Sequence, residues 1–532
     1  MAQNQEHAWL PTYPDNVDWL NAPKGVPLYT LLDNAVEKFP NNIAIRFMGK
    51  AFTYTQVDRL VKKLTAGLKA QGVKRGVKVG ICLPNCPQAI ISYFAILRTG
   101  ATVVNYSPLY STAELGHKIT DSGTEVMITL DMKIILPKLQ KNLGQPLKKI
   151  IVCSLADVLP TAKKYAYLLL KRGDLAPIPK DNNHILWEDA LRHKPDSEVA
   201  TIHPQEDIAV LQYTGGTTGI PKGVILTHAN CSINALQCKQ WFADAKEGEE
   251  VFIGILPLFH VFAMTTIMNF GISIGAEIIL HPKFELKNVL SDIDKYKITI
   301  MPGVSTLFAA VNNCTTLAKY SLKSIKYCVS GGGPLPDAVK EEFESLTGCT
   351  LVEGYGLSES SPVVACNPLK GENRTGSIGL PFPGTILEII DTEDKVTPMP
   401  VGERGEICIR GPQVMQGYWQ NIDATNDVLR KTPDGDIRLH TGDVGIMEPD
   451  GYFKIVDRLK ELIISGGFNV YPRQVEDAIH LHESVAECAV IGIEHPTRGE
   501  VPKAYIVFKK GKEADKPEFC LLYTSPSPRD RG

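Results

Sequence analysis

Residues 211–230 read LQYTGGTTGIPKGVILTHAN, where Gly215, Gly216, Gly219 and Gly223 are interleaved with Thr214, Thr217 and Thr218 around Lys222. Glycine carries no Cβ, so such a loop lets backbone N–H groups approach phosphate oxygens closely. The threonine hydroxyls add donors, and the lysine ammonium adds positive charge. These residue types suit a cradle for a phosphorylated ligand. Their order differs from the common nucleotide loop, G-x-x-x-x-G-K-[ST], because Lys222 follows Pro221 rather than a glycine.

Other polar, glycine-rich stretches follow in a fixed sequence: LPLFHVFAMT (256–265), SGGGPLP (330–336), EGYGLSES (353–360), GPQVMQGYW (411–419) and HTGDVGIMEPDGYFKIVDRLKELIISGGFNVYPRQVEDAI (440–479). With YTGGTTGIPKGV at residues 213–224, this order resembles the adenylate-forming superfamily of acyl-CoA synthetases, luciferases and peptide-synthetase adenylation domains. The resemblance runs from about residue 10 to about residue 515. Gly215, where the family commonly has serine, together with VVNYSPLYSTAELGHKITDSG (103–123), is similar to its bacterial long-chain fatty acyl-CoA ligase branch.

The resemblance implies a two-step ligation with ATP, Mg2+ and coenzyme A: a fatty acid attacks the α-phosphate, pyrophosphate leaves, and the coenzyme A thiol then takes the acyl group. It assigns Tyr213, Thr214, Gly215, Gly216, Thr217, Thr218, Gly219 and Lys222 to the phosphate loop. Glu359 resembles the magnesium ligand, assisted by Thr217, while Ser358 keeps a hydroxyl for the α-phosphate. Tyr355, between Gly354 and Gly356, stacks on adenine in the family, and Gly331 and Gly332 bring backbone beside the base and the acyl pocket. Asp443 is a natural acceptor for two ribose hydroxyls, since one carboxylate can accept both, and Arg458 resembles the second ribose contact. His260 corresponds to a residue that gates entry of the acyl carboxylate. Lys460 falls at the family's hinge, and Gly466 and Gly467 suit a narrow pantetheine channel, where side chains would obstruct.

These residues need elements to hold them. A chain of 532 residues is too long for one core. In FTYTQVDRLVKKLTAGLKAQGVKRGVKVGICLPN, the spacing of Val57, Leu60, Val61, Leu64 and Leu68 predicts a helix capped by Thr55 and ended by Gly72, followed by a buried strand. Helix, glycine and strand recur at AILRTGATVVNYSP, so parallel sheets covered by helices are expected. From about Gly376, TILEIID, GEICIRG and GYFKIVD predict short strands in a small β-rich sub-domain. The expected fold is therefore α/β: a large N-terminal domain of two α/β sub-domains plus the β-rich one over residues 1–457, a small α+β domain over 458–520, and a tail over 521–532.

Composition narrows the partners. A net charge of −3 gives no basic face for nucleic acid. The N-terminus lacks the basic and apolar regions of a signal peptide. Cys82 and Cys86 have zinc-compatible spacing but no second pair, so reduced buried thiols in a cytoplasmic protein are expected. Residues 251–276 contain no Asp, Glu, Lys or Arg, but Pro257, His260 and Asn269 favour a buried strand, a turn and a core helix over a membrane span. LPTAKKYAYLLLKRG (159–173) reads either as a basic amphipathic helix for peripheral membrane contact or as an ordinary surface helix.

Beyond YIVFKKGK the pattern stops. The family continues to a P-x-x-x-x-G-K-type stretch whose lysine contacts the acyl carboxylate and α-phosphate, whereas this sequence ends EADKPEFCLLYTSPSPRDRG. Lys509, Lys510, Lys512 and Lys516 match no such motif, so a truncated or foreign tail from near Cys520 is expected, with Val485, Val490 and Ile491 under-covered. The functional expectation is a long-chain fatty acid–CoA ligase. The alternatives are an adenylating CoA ligase for a medium-chain or aryl acid, and a nucleotide and acyl binder inactive in adenylation.

Overall fold

The computed structural model describes residues 7–214 and 221–459, then 461, 463–465, 468–480, 482, 484–495, 499–509 and 512. Two compact units result, and neither is continuous in sequence. One takes in Trp9–Ile386 and Arg410–Arg430; the other takes in Leu387–Ile409 and the chain from Lys431 onward.

The larger unit contains two twisted α/β sheets. In the eight-stranded sheet, Ile208–Thr214 pairs in parallel with Thr102–Asn105, and the parallel run continues through Lys78–Cys82, Thr124–Leu130, Lys149–Cys153 and His184–Leu186. Its other edge is antiparallel: Lys222–Thr227 folds back on Ile208–Thr214, and Gly417–Tyr418 adds outside it. The nine-stranded sheet has a parallel centre of Thr350–Gly356, Tyr327–Ser330, Ile300–Gly303, Val251–Gly254, Glu277–Leu280 and Ile43–Phe47. Antiparallel strands Val363–Cys366 and Lys50–Thr53 flank it, and Leu380–Pro381 adds antiparallel outside Val363–Cys366.

Helix Pro87–Arg98 lies between the sheets, in contact with strands of both, and every one of its residues is buried. Such a helix must be apolar around its whole circumference, which PQAIISYFAILR nearly is; its one cation, Arg98, is paired with Asp33 at 2.6 Å. Helix Tyr54–Ala70 buries Val57, Val61, Leu64 and Leu68 as the spacing predicts, each contributing roughly 1.5–3 kcal/mol. Its cap is Thr53 rather than Thr55. The Thr53 hydroxyl accepts from Gln56 N at 3.2 Å, and the Gln56 side chain accepts from Thr53 N at 3.0 Å. Thr55 instead donates to Pro40 O. This Thr-x-x-Gln capping box begins the helix directly after strand Lys50–Thr53.

Residues 251–276 fold as a strand, a turn and a buried helical segment, and among the described residues no helix is long and apolar enough to cross a membrane. The segment is not a plain α-helix: Met264–Asn269 is a π-helix, all of it buried. Single π turns inside α-helices often mark functional sites.

Most of a five-stranded sheet of Ile386–Ile390, Gly405–Arg410, Ile437–Met447, Leu429–Lys431 and Phe453–Arg458 lies in the smaller unit, with Ile437–Met447 antiparallel to both Gly405–Arg410 and Phe453–Arg458. A four-stranded antiparallel sheet of Phe468–Val470, Ile463–Ser465, Gly499–Phe508 and Val485–His495 packs on helix Pro472–His480. Its core is Ile463, Val475, Ile479, Val485 and Val490. Val485 and Val490 are thus covered, contrary to expectation, because the helix lies over them; Ile491, whose side chain points to the opposite face, is 47% exposed.

Candidate active site

The phosphate loop is the connection of a β-hairpin. Register pairs Tyr213 with Gly223 and Thr214 with Lys222, so Thr214 and Lys222 stand opposite each other at its stem. Gly215, Gly216, Thr217, Thr218 and Gly219 lie outside the described residues. The stem is braced from below. The Tyr213 hydroxyl donates to Asp121 Oδ2, and burial followed by this carboxylate pushes the phenol's pKa up, so it remains a donor. Gly223 O accepts from Trp419 N at 2.7 Å.

Strand Gly417–Tyr418 brings in a residue that the sequence motifs contained but did not single out. The Lys222 ammonium sits 4.9 Å from the centre of the Tyr418 ring, an attraction between cation and ring face. The Tyr418 hydroxyl donates to Glu359 Oε1 at 2.7 Å. Burial, then the Glu359 charge, raises the Tyr418 pKa and keeps its proton in place. Lys222, Tyr418 and Glu359 are therefore linked at the base of the loop. Tyr418 was legible only as the tyrosine of QGYW.

Glu359 and Ser358 belong to the 3-10 turn Ser358–Ser360, which follows strand Thr350–Gly356. That strand holds Gly354, Tyr355 and Gly356; the Tyr355 side chain is buried, at 9% exposure. Gly356 has a steric reason: a Cβ there would meet Pro362 O at 1.9 Å. The Glu359 carbonyl accepts from Met415 N at 2.8 Å, and the Ser361 hydroxyl donates to Gln413 O at 2.9 Å. From the other side, the π-helix threonine Thr265 donates to Ser361 O at 2.7 Å. The turn is thus clamped to the strand connection 411–416 and to the π segment.

His260 ends the LPLFH turn. The buried Asn85 fastens this turn, donating to Gly254 O at 3.0 Å and Leu256 O at 2.8 Å and accepting from Leu258 N at 2.8 Å. Gln212, two residues before Thr214, donates to Phe259 O at 3.1 Å, which ties the turn to the phosphate-loop strand. The His260 ring is exposed, yet surrounding protein atoms desolvate it and lower its pKa below the usual histidine value. Desolvation thus favours its neutral form. Gly331 packs on the Phe262 ring, which would lie 2.9 Å from an added Cβ, and Gly332 needs the left-handed φ of +79°. Behind this loop, Thr266, Phe270, Val329, Val363 and Phe382 line an apolar cavity of about 20 Å³, room for about one water.

In the smaller unit, Asp443 and Arg458 are register partners on neighbouring strands, with Arg458 Nε 3.2 Å from Asp443 Oδ1. Asp443 N donates to Thr441 Oγ1 at 3.0 Å. Beneath it, Glu406 accepts from Gly442 N at 2.8 Å and from the His440 Nδ1–H at 2.7 Å, with Cys408 Sγ 3.4 Å from the same nitrogen. The three ligand atoms of Glu406, Cys408 and His440 lie within 4.8 Å of one another. Their geometry is that of a hydrogen-bonded support for the Gly442–Asp443 backbone. Lys460, Gly466 and Gly467 lie outside the described residues. Cys82 and Cys86 are buried and unbridged, and burial pushes both thiols up to about 12, as inert thiols require.

Comparison with known proteins follows the same motifs. Residues 32–419 match the AMP-binding enzyme family, and residues 474–521 match the AMP-binding enzyme C-terminal domain. The chain is 41% identical over 515 residues to a long-chain-fatty-acid–CoA ligase of Bacillus subtilis (strain 168), covering 96% of this chain and 90% of that protein. It is 36% identical over 513 residues to a long-chain-fatty-acid–CoA ligase of Salmonella typhimurium, covering 94% and 89%. Among solved structures, ATP-bound MatB from Rhodopseudomonas palustris superposes with a TM-score of 0.76 at 25% identity, over 93% of this chain and 91% of that one.

Proposed function

The chain belongs to the AMP-binding enzyme family, and from that premise we propose that it is an ATP-dependent ligase joining a long-chain fatty acid to coenzyme A through an acyl-adenylate. Full-length likeness to two long-chain-fatty-acid–CoA ligases supports the reaction. The observation that carries it in the geometry is the chain of contacts from Lys222 through Tyr418 to Glu359 at the stem of the phosphate loop.

In the first half-reaction a carboxylate meets a polyphosphate, and both are anionic, so preorganised positive charge and donors must face the charge that develops. Lys222 and the loop N–H groups supply that environment. Glu359 fits a divalent cation: Oε1 is oriented by Tyr418, and Oε2 has no partner among the described residues. Hard cations such as Mg2+ take carboxylate oxygens of this kind, and when bound the ion would spread the phosphate charge. Ser358 lies beside Glu359 to contact the α-phosphate; Tyr355, Gly354, Gly356, Gly331 and Gly332 form the adenine side. Neutral His260 stands at the carboxylate's entrance, where a cation would pair with the acid and hold it short of the phosphate.

Asp443 and Arg458 are assigned to the ribose by resemblance, since one carboxylate can accept from two hydroxyls. Lys460 as hinge, Gly466 and Gly467 along the thiol's path, and a domain boundary at 457/458 complete the proposal by resemblance. Peripheral contact with a membrane on the cytoplasmic side belongs to the same reading, because a long-chain acid partitions into bilayers, and the unbridged cysteines suit a reducing compartment.

The test is a competition among palmitate, octanoate and benzoate with ATP, Mg2+ and coenzyme A, with the thioesters weighed by mass spectrometry. Palmitoyl-CoA should dominate. Preferential benzoyl-CoA would replace the fatty acid with an aryl substrate, and ATP binding with no thioester would leave a non-catalytic binder.

A further inference from the structure

Helix Thr161–Leu170 contradicts the usual arrangement of a surface helix. Its sequence, TAKKYAYLLL, is apolar over its second half, yet no residue in it is buried. Tyr165 is 69% exposed, Leu169 78% and Leu170 79%. An ordinary amphipathic helix turns its apolar stripe to the core and its lysines to water. Here Tyr165, Leu168 and Leu169, at i, i+3 and i+4, form one stripe that faces outward. The inward contacts come from other groups: Tyr167 is half-buried, and the Lys163 ammonium donates to Met48 O at 2.8 Å.

The surroundings extend the pattern. Met48 and Ile134 are also exposed apolar residues, next to groups bonded to this segment: Lys163 reaches Met48 O, and Lys133 donates through its backbone to Asp174 O. Cations stand at both ends of the stripe, Lys163 and Lys164 in the first turn and Lys171 and Arg172 just past the last. Only Lys164 and Lys171 have carboxylate partners, Asp157 at 3.6 Å and Asp174 at 3.0 Å, and both pairs are solvent-exposed. An exposed apolar stripe bracketed by positive charge has the composition of a helix that lies in a lipid headgroup region. The cations beside the stripe favour an anionic headgroup layer as its occupant.

We infer that helix Thr161–Leu170 is a membrane-docking element that inserts Tyr165, Leu168, Leu169 and Leu170 at the surface of an anionic bilayer, with Lys171 and Arg172 on the headgroups. The inference deepens the fatty-acid reading, in that docking would set the enzyme where its substrate is concentrated, but it is measured without catalysis.

Flotation of the full chain with vesicles of phosphatidylglycerol and phosphatidylcholine, against phosphatidylcholine alone, tests it. The wild type should float with the anionic vesicles only, and less so at high salt. Leu169→Ser with Leu170→Ser should weaken vesicle affinity at least about tenfold, as two leucines lose a lipid-buried position. Lys171→Glu with Arg172→Glu should weaken it as well. Unchanged ATP binding in both variants would show that the fold is intact. Flotation equal to wild type in either variant, equal binding to neutral vesicles, or self-association that disappears in the serine variant without vesicle binding would overturn the inference; the last would make the stripe an interface between copies. Loss of flotation with ligation retained on detergent-dispersed palmitate would uphold docking independently of the reaction.

Discussion

Glu359 is oriented by one phenol, and that contact separates a metal-site reading from a merely structural one. Glu359→Ala removes the carboxylate; adenylation should fall at least about a hundredfold, the scale of several kcal/mol of transition-state stabilisation. Pyrophosphate release near wild-type rates at ordinary magnesium would exclude Glu359 as a ligand. Tyr418→Phe is the finer probe, because it keeps the ring under Lys222 and deletes only the hydrogen bond of 2.7 Å. Loss of a bond to a charged acceptor is worth about 1.5–3 kcal/mol, so the magnesium concentration for half-maximal pyrophosphate release should rise about tenfold or more, with folding unchanged. An unaltered magnesium profile would mean that Tyr418 does not hold the carboxylate for the metal.

Helix His228–Trp241 follows the phosphate-loop hairpin directly and is buried almost throughout, and its first residue introduces a pH dependence. The His228 Nδ1 accepts from Leu28 N at 3.0 Å inside the unit. Burial lowers this histidine from 6.5 to about 4, with the Asp207 charge acting weakly the other way. The folded state therefore binds its proton less readily than the unfolded state. The resulting stability is fully present above about pH 6.5, declines as pH falls from there, and is exhausted below about pH 4. The whole term is roughly 3 kcal/mol. His228→Asn preserves an acceptor without the titration, so its urea midpoint should fall less between pH 7 and pH 5 than that of the wild type. Parallel curves would remove His228 from the acid response. At the other end of the site, strand Thr350–Gly356 meets Pro362 so closely that Gly356→Ala forces backbone apart. Its melting temperature should drop by several degrees, on the scale of about 1–3 kcal/mol for overpacking. An unshifted melt would mean that the turn yields freely.

At the scale of the whole molecule, the proposed contacts are divided between two compact units, with Lys222, Tyr418 and Glu359 in one and Asp443 and Arg458 in the other. If a hinge at Lys460 sets the two half-reactions, Lys460→Pro should slow them unequally, because proline fixes φ and removes an N–H. The comparison is pyrophosphate release in a single turnover against thioester formation from synthetic palmitoyl-adenylate. Equal loss in both would remove the hinge from Lys460.

The candidate chemistry was legible in the sequence because its demands are local. A phosphate cradle needs glycine, threonine and lysine within a few residues, and the capping box and i, i+4 spacings that start and orient helices are equally short-range. Parallel strands alternating with helices also announced the α/β class, since each unit carries its own period. Four features depended on contacts far apart in sequence. Tyr418 reaches Glu359 across 59 positions, and Gln212 reaches Phe259 across 47, so neither pairing had a spacing to read. The π-helix at Met264–Asn269, MTTIMN, has no residue pattern that sets it apart from an α-helix, and its Thr265 bonds to Ser361 O across 96 positions. Residues 159–173 stood in the sequence as either a basic amphipathic helix for membrane contact or an ordinary surface helix. The exposure of its apolar face was decided by tertiary packing, because a face is apolar by sequence but exposed or covered only by what the rest of the chain places against it.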